Sequence, residues 1–363
     1  MPSQASKIKK IIRFIRPSVR KLKAYTIDET PCRIKLDAME NAGTMPEEIQ
    51  QEIAEAARTA QINRYPDPSA KQLKQAIAEF WNIDAEKTIL GNGSDELIQA
   101  IILAFGGPVL FPVPTFAMYE IISRALSQEV ATIPLTKDFS LDPDRLIRKA
   151  RETKARVIFL ACPNNPTGNR FSDEAIRKIL DKANAAVVID EAYFDFSGTS
   201  FLPSLEAYPN MIILRTLSKI GFAGLRVGAL IAAPEVLSEL NKIRLPYNIN
   251  VLSQAAAGIA LKHKNVLEQQ ISLLISERER LYNALSQMPG IVPSPSETNF
   301  ILFRTDTDAT GIYNKLKQAG ILVKNLDKPG PLKNCLRVTV GTPEENNEFV
   351  RQVQQILATD LHG

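Results

Sequence analysis

Between residues 108 and 243 the chain alternates short, wholly apolar runs with stretches of helical spacing, and that alternation leaves few folds open. PVLFPV (108–113), ARVIFLAC (155–162), AAVVID (185–190), MIILRT (211–216) and VGALIAA (227–233) lack the polar alternation of a strand with one wet face. They predict strands buried on both sides. EIISRALSQ (120–128), SDEAIRKILDKAN (172–184) and PEVLSELNKI (234–243) carry apolar residues at helical intervals. Strand and helix in turn predict an α/β domain: a mostly parallel central sheet between two layers of helices.

With 363 residues, the chain exceeds the roughly 250–300 residues at which one core stops growing, so a second domain is expected. NVLSQAAAGIALKH (250–263) and VLEQQISLLISERERLYNAL (266–285) predict two helices leading out of the first domain. NFILFRT (299–305), a helix around ATGIYNKLKQAG, GILVKN (320–325), CLRVTVG (335–341) and a final helix over 343–361 predict a smaller α+β unit. The expected division is an N-terminal arm over 1–35, a large domain over 36–249 and a small domain over 250–363.

Several classes of function drop out on composition. The two histidines, His263 and His362, stand in a lysine-rich segment and next to the C-terminus. They cannot build a serine-protease triad or a histidine-rich metal site. Cys32, Cys162 and Cys335 are odd in number and scattered, which fits a reducing compartment and no zinc site. No apolar run reaches membrane-spanning length and the start lacks a signal-peptide pattern, so a cytoplasmic protein is expected. The net charge is only +4, but basic residues crowd SKIKKIIRFIRPSVRKLK near the N-terminus. Such a segment can be an arm for nucleic acid or a membrane surface. The plainer reading, a helical arm packed on a partner or on its own domain, is preferred, because no second basic cluster or aromatic ladder supports nucleic-acid binding.

Open parallel sheets bind ligands at the carboxyl ends of their strands, and three strand ends here carry chemistry. ARVIFLAC runs into PNNPTG with Asn164 and Asn165, AAVVID ends on Asp190 with Tyr193 just beyond, and MIILRT runs into LSK with Lys219. Singly, each has a bland explanation: a turn amide, a helix cap, a solvated amine. Together on one rim they are hard to explain structurally. ILGNGSDELIQAIILAF (89–105) adds a GxG turn that opens a helix at Ser94–Asp95–Glu96, where backbone N–H groups can cradle a phosphate. A lone GxG is also an ordinary capped helix. Glu96 stands where a dinucleotide fingerprint needs its third glycine, and no GxxxxGK[ST] occurs.

Phosphate cradle, amine, carboxylate, phenol and amide together match pyridoxal 5′-phosphate. Its aldehyde condenses with a lysine, its pyridine nitrogen needs a carboxylate to act as an electron sink, and its flat face wants an aromatic partner. Phe116 in PTFAMYE can supply that face, although an isolated Phe is more often core.

NRYPD (63–67), GNGSDE (91–96), PTFAMY (114–119), CPNNPTG (162–168), VIDEAY (188–193), TLSKIGFAGLRVG (216–228), PYNIN (246–250), TNF (298–300) and CLRVTVGTPEEN (335–346) occur in that order. The set resembles the fold-type I aminotransferases, pyridoxal-phosphate enzymes, and within them the histidinol-phosphate aminotransferases. The resemblance implies that Lys219 holds the cofactor and shuttles the α-proton, that Asp190 pairs with the pyridine nitrogen, and that Asn165 and Tyr193 hold the ring oxygen. It implies Phe116 stacked on the ring, and a phosphate site from the backbone around Ser94 and Asp95, the hydroxyls of Thr216 and Ser218, and Arg226. Tyr65 would reach that phosphate from a second subunit, making the enzyme a homodimer. Arg337, Lys324, Tyr25 and Asn41 would surround the substrate. The implied reaction joins histidinol phosphate and 2-oxoglutarate to imidazole acetol phosphate and glutamate, a step of histidine biosynthesis.

The sequence departs from the family at Met39-Glu40-Asn41-Ala42, where Asn-Glu-Asn-Pro is usual, and at Lys324, where many relatives have arginine. An aromatic-amino-acid aminotransferase and a threonine-phosphate decarboxylase share most of these motifs and stand as alternatives. A non-enzymatic binding protein on this fold ranks last: the roughly 35 leading residues are too few for a helix-turn-helix module, and Lys219 is retained.

Overall fold

The computed structural model describes residues 4–360. Its strands in chain order are β1 (Ile34–Leu36), β2 (Thr88–Asn92), β3 (Val109–Val113), β4 (Val130–Pro134), β5 (Val157–Ala161), β6 (Ala186–Asp190), β7 (Met211–Thr216) and β8 (Val227–Ile231), then β9 (Ile291–Pro293), β10 (Phe300–Thr305), β11 (Ile321–Asn325) and β12 (Cys335–Thr339). Helices α1 (Gln4–Ile12), α2 (Pro17–Arg20), α3 (Glu47–Thr59) and α4 (Lys71–Trp81) belong to the N-terminal part. The central part holds α5 (Ser94–Phe105), α6 (Met118–Ala125), α7 (Pro143–Thr153), α8 (Asp173–Lys182), α9 (Phe194–Ser197) and α10 (Pro234–Asn241). The remainder are α11 (Val251–Lys262), α12 (Lys264–Ser286), α13 (Ala309–Gln318) and α14 (Pro343–Asp360).

The larger sheet has the order β2-β8-β7-β6-β5-β3-β4. The pairs from β7 outward to β4 are parallel, while β8 runs antiparallel to both β7 and β2. Every residue of β5, β7 and β8 is buried, as expected of strands covered on both faces. Local chemistry ends the covering helices. Asp142 and Ser172 accept from the first-turn amides of α7 and α8, and Asn250 caps α11 through Ser253 N.

The second sheet has the order β1-β11-β12-β10-β9. Here the structure departs from the expected division, because β1, at the start of the expected large domain, pairs in parallel with β11 of the small one. Helix α11 likewise packs on α3 and α4, so the chain leaves the first unit through α12, later than residue 250. Arg278 on α12 is buried, and its Nη1 donates to Phe196 O on α9 at 3.4 Å and to Thr298 O ahead of β10 at 3.1 Å.

The arm is held by its own chain. Arg16 Nη2 donates to Ala125 O at 2.8 Å and Ser18 shares a hydrogen bond with Ser127. Farther on, Asp28 accepts from Tyr313 and Lys317 on α13. Ile8, Ile11, Ile12 and Ile15 stay exposed. His263 joins α11 to α12 and faces Glu52 at 3.0 Å; His362 lies outside the described residues.

Candidate active site

The rim marked by the sequence is a cavity of about 210 Å³ at the carboxyl ends of β5, β6 and β7. Ten of the expected residues line it: Ser94, Asp95, Phe116, Asn165, Asp190, Tyr193, Thr216, Ser218, Lys219 and Arg226. Parallel pairing aligns Ala161 with Asp190 and Asp190 with Leu214, which brings the ends of β5, β6 and β7 onto one edge.

Lys219 sits in a single 3-10 turn that follows β7, capped by Thr216. Its amine is pulled down to about 8, first by burial and then by the Arg337 and Arg226 charges, with Asp95 opposing. An amine near 8 is neutral often enough at working pH to attack a carbonyl. The amine lies 5.8 Å from the centre of the Tyr193 ring. Tyr193 Oη accepts from Asn165 Nδ2 at 3.1 Å, which places phenol and amide side by side. Asn164, by contrast, is a loop staple, bonded to Thr115, Pro114 O and Thr167.

Asp190 is buried, and burial raises its carboxyl to about 6 against the pull of two hydrogen bonds. One of these comes from Tyr119 Oη at 2.6 Å, a residue that sequence reasoning missed. It was visible only as the last letter of PTFAMY.

The anion cradle joins β2, β8 and α5. Gly91 faces Gly228 in the β2–β8 register, and a Cβ on Gly228 would stand 2.7 Å from Ser94 N. Gly93 has φ +80, and a Cβ there would meet Arg226 Nη2 at 2.6 Å. Both glycines are therefore needed to keep the first turn of α5 and the guanidinium together. Arg226 lies 3.4 Å from Asp95 Oδ2, and Thr216 and Ser218 hydroxyls share a bond of 2.9 Å. Glu96, the residue that spoils a dinucleotide fingerprint, accepts from Asn92 N and Asn248 Nδ2 and so braces the turn.

A second cavity, of about 290 Å³, shares Phe116 and Asn165 with the first and is lined by Tyr25, Lys324 and Arg337. Lys324 and Arg337 are direct partners in the antiparallel β11–β12 register, so their side chains share one face. Arg337 Nη1 donates to Asn165 Oδ1 and Nη2 to Asp37 O at 2.9 Å, while Nε is buried with no partner. Exposed Tyr25 stands at the mouth.

Two expected residues lie outside both cavities. Asn41 turns its amide to Gln270 and its carbonyl oxygen to Gly43 N. The loop over 39–46 is thus clipped to α12, and Asn41 lines neither cavity. Tyr65 is 81% exposed and stacks on Tyr247 with centroids 4.4 Å apart.

A buried amine at a strand end, a carboxylate beside it, an aromatic wall and a helix-start anion cradle define an enzyme that works with pyridoxal phosphate. The chain belongs to the class I and II aminotransferases, whose family model matches residues 33–353.

It is 44% identical over 351 residues to histidinol-phosphate aminotransferase 2 of Nitrosococcus oceani, covering 95% of this chain and 98% of that one. It is 41% identical over 341 residues to histidinol-phosphate aminotransferase of Aquifex aeolicus, covering 93% and 96%. Histidinol-phosphate aminotransferase from Sinorhizobium meliloti, solved in complex with pyridoxal-5′-phosphate, has the same fold. Its TM-score is 0.86 at 24% identity, covering 95% of this chain and 98% of that one.

The residues present fit the cofactor this family uses. The close approach that Gly93 and Gly228 allow sets the first turn of α5 beside Arg226, a donor set suited to a phosphate, and Asp190 offers a buried carboxylate. Lys219 offers an amine of lowered basicity.

Proposed function

We propose that this aminotransferase interconverts L-histidinol phosphate plus 2-oxoglutarate and imidazole acetol phosphate plus L-glutamate; its relatives' names supply histidinol phosphate as the amino substrate. One observation carries the reading within the chain. Lys324 and Arg337 face one cavity from paired strand positions, giving two cations for the acidic ends of both substrates.

The residues divide the work. Lys219 holds the cofactor and moves the proton at the substrate α-carbon. Asp190 holds a proton on the pyridine nitrogen, Asn165 and Tyr193 bind the ring oxygen, and Phe116 covers the ring. The backbone around Ser94 and Asp95, the hydroxyls of Thr216 and Ser218, and Arg226 bind the phosphate. When bound, the cofactor supplies a ring that spreads the charge left at the α-carbon. The Arg337 guanidinium supplies a cation for a substrate acid, and Lys324 adds a point charge suited to a phosphate.

A homodimer completes the site in this reading. Segments 62–68 and 244–254 are tied by Arg244 to Pro68 O, Gln254 to Asp67 O and the Tyr65–Tyr247 stack. They expose Ile62, Tyr65, Leu245, Tyr247 and Leu252, an apolar surface of the kind that marks an interface. Tyr65 would reach the partner's phosphate from there.

A substrate panel tests the assignment. Purified protein should turn over histidinol phosphate with a higher kcat/KM than phenylalanine, tyrosine or threonine phosphate. Preference for an aromatic amino acid, or loss of carbon dioxide from threonine phosphate, would replace it with one of the alternatives.

A further inference from the structure

Tyr119 lines neither cavity, yet it touches two walls of the first. It is wholly buried on α6, and its Oη donates to Asp190 Oδ2 at 2.6 Å. Its ring stacks on Phe159 with centroids 4.6 Å apart and 15° between planes. Its edge meets Phe116 at 5.6 Å and 87°. The other Asp190 oxygen accepts from Ala192 N at 3.1 Å. The carboxylate is therefore gripped on both oxygens, once by its own loop and once by a helix 71 residues away in sequence.

A buried carboxylate without donors takes up a proton. Around Asp190 stand Tyr119 from α6, Lys219 from the turn after β7, Asp95 from α5 and Tyr193 from its own loop. Among these Tyr119 makes the direct hydrogen bond. Burial and the Asp190 charge drive the Tyr119 hydroxyl well above the phenol range, so it remains a donor.

We propose that Tyr119 is a positioning residue for the cofactor: its hydroxyl fixes the orientation and charge of Asp190, and its ring edge fixes the tilt of Phe116. The proposal rests on the reading that Asp190 serves the pyridine nitrogen. Two surfaces that hold the ring, one charged and one flat, then depend on a single side chain locked by Phe159.

The test compares the parent, Tyr119→Phe, Asp190→Asn and the double variant. Apoprotein is titrated with pyridoxal 5′-phosphate, the absorbance of the loaded protein is followed against pH, and kcat and KM are measured. Tyr119→Phe keeps the ring contacts and should melt near the parent. Cofactor affinity and kcat should fall roughly ten- to a hundredfold, the scale of one hydrogen bond to a charged group, with KM little changed. The absorbance midpoint should move in the same direction as in Asp190→Asn, and Tyr119→Phe should add little in the Asp190→Asn background. A Tyr119→Phe spectrum and affinity equal to the parent's, beside an altered Asp190→Asn, would overturn the role of Tyr119 alone. Additive losses in the double variant, or a lowered melting point with kcat and KM changing together, would also overturn it. An Asp190→Asn spectrum equal to the parent's would remove the Asp190 reading, and the Tyr119 proposal with it.

Discussion

Replacing Glu191 by Gln should destabilise the protein far more than a one-atom change implies. Glu191 and Arg215 are both 1% exposed and pair at 2.9 Å. Glu191 Oε2 accepts from Arg215 Nε and Nη2, and Oε1 accepts from Phe201 N at 2.7 Å, with Ser200 Oγ bridging both oxygens. The Arg215 guanidinium also lies 3.6 Å from the Phe194 ring centre and 5.6 Å from that of Trp81, while its Nη1 has no partner. Removing the carboxylate leaves that cation buried and uncompensated, a loss of about 3–5 kcal/mol. Asp195, whose carboxyl burial lifts to about 7 against the pull of Arg215, can supply part of the missing charge. The lower end of the range is therefore expected. The double change Glu191→Leu with Arg215→Met removes both charges and should lose less than the two single changes summed. Urea unfolding of apoprotein removes the cofactor's contribution, and a fixed subunit concentration keeps any association contribution equal between variants. A Glu191→Gln midpoint equal to the parent's, or additive losses in the double variant, would show that the pair does not carry the burial of Arg215.

Borohydride reduction of the loaded protein should leave a pyridoxyl mass on the peptide containing Lys219; the mass on another lysine would dismiss the site. Because the Lys219 amine has a pKa of about 8 and only its neutral form is nucleophilic, cofactor capture by apoprotein should accelerate as pH rises through about 8. A stopped-flow midpoint at the ordinary lysine value would contradict the burial argument. Arg337→Ala should weaken both substrates, whereas Lys324→Ala should weaken histidinol phosphate more than glutamate. Each loss should be about one to two powers of ten in kcat/KM. Unchanged histidinol phosphate kinetics in Lys324→Ala would make Lys324 a solvated strand residue.

The site was legible because parallel strands buried on both faces deliver their last residues to one edge. Asn165, Asp190 and Lys219 follow from reading three apolar runs and asking what comes next. The Lys324–Arg337 pairing followed from hairpin-like spacing and is a register pair in the structure. What escaped depends on contacts far apart in sequence. Tyr119 touches Asp190 across 71 residues, and nothing in its own segment distinguishes it from a core aromatic. Strand β1, three residues long and reading Ile-Lys-Leu, is too short for periodicity to register. Its partner β11 lies near the other end of the chain, so only tertiary packing assigns it to the second sheet. Asn41, expected beside the substrate, lines neither cavity, and the partner of its amide, Gln270 on α12, is likewise far away in sequence.

Arg278 has a mechanical consequence. Its guanidinium holds a carbonyl beside the seven-stranded sheet and another beside the five-stranded sheet. A relative motion that keeps both bonds is a rotation about this point rather than a slide, as at a hinge. Lys324 and Arg337 would swing with one sheet while Lys219 and Asp190 stay with the other. The mouth of the cavity lined by Lys324 and Arg337 would thereby change width while the wall around Lys219 and Asp190 kept its shape. Such a swing would give up the bond from Arg337 Nη1 to Asn165, and would free that nitrogen for an incoming acid group.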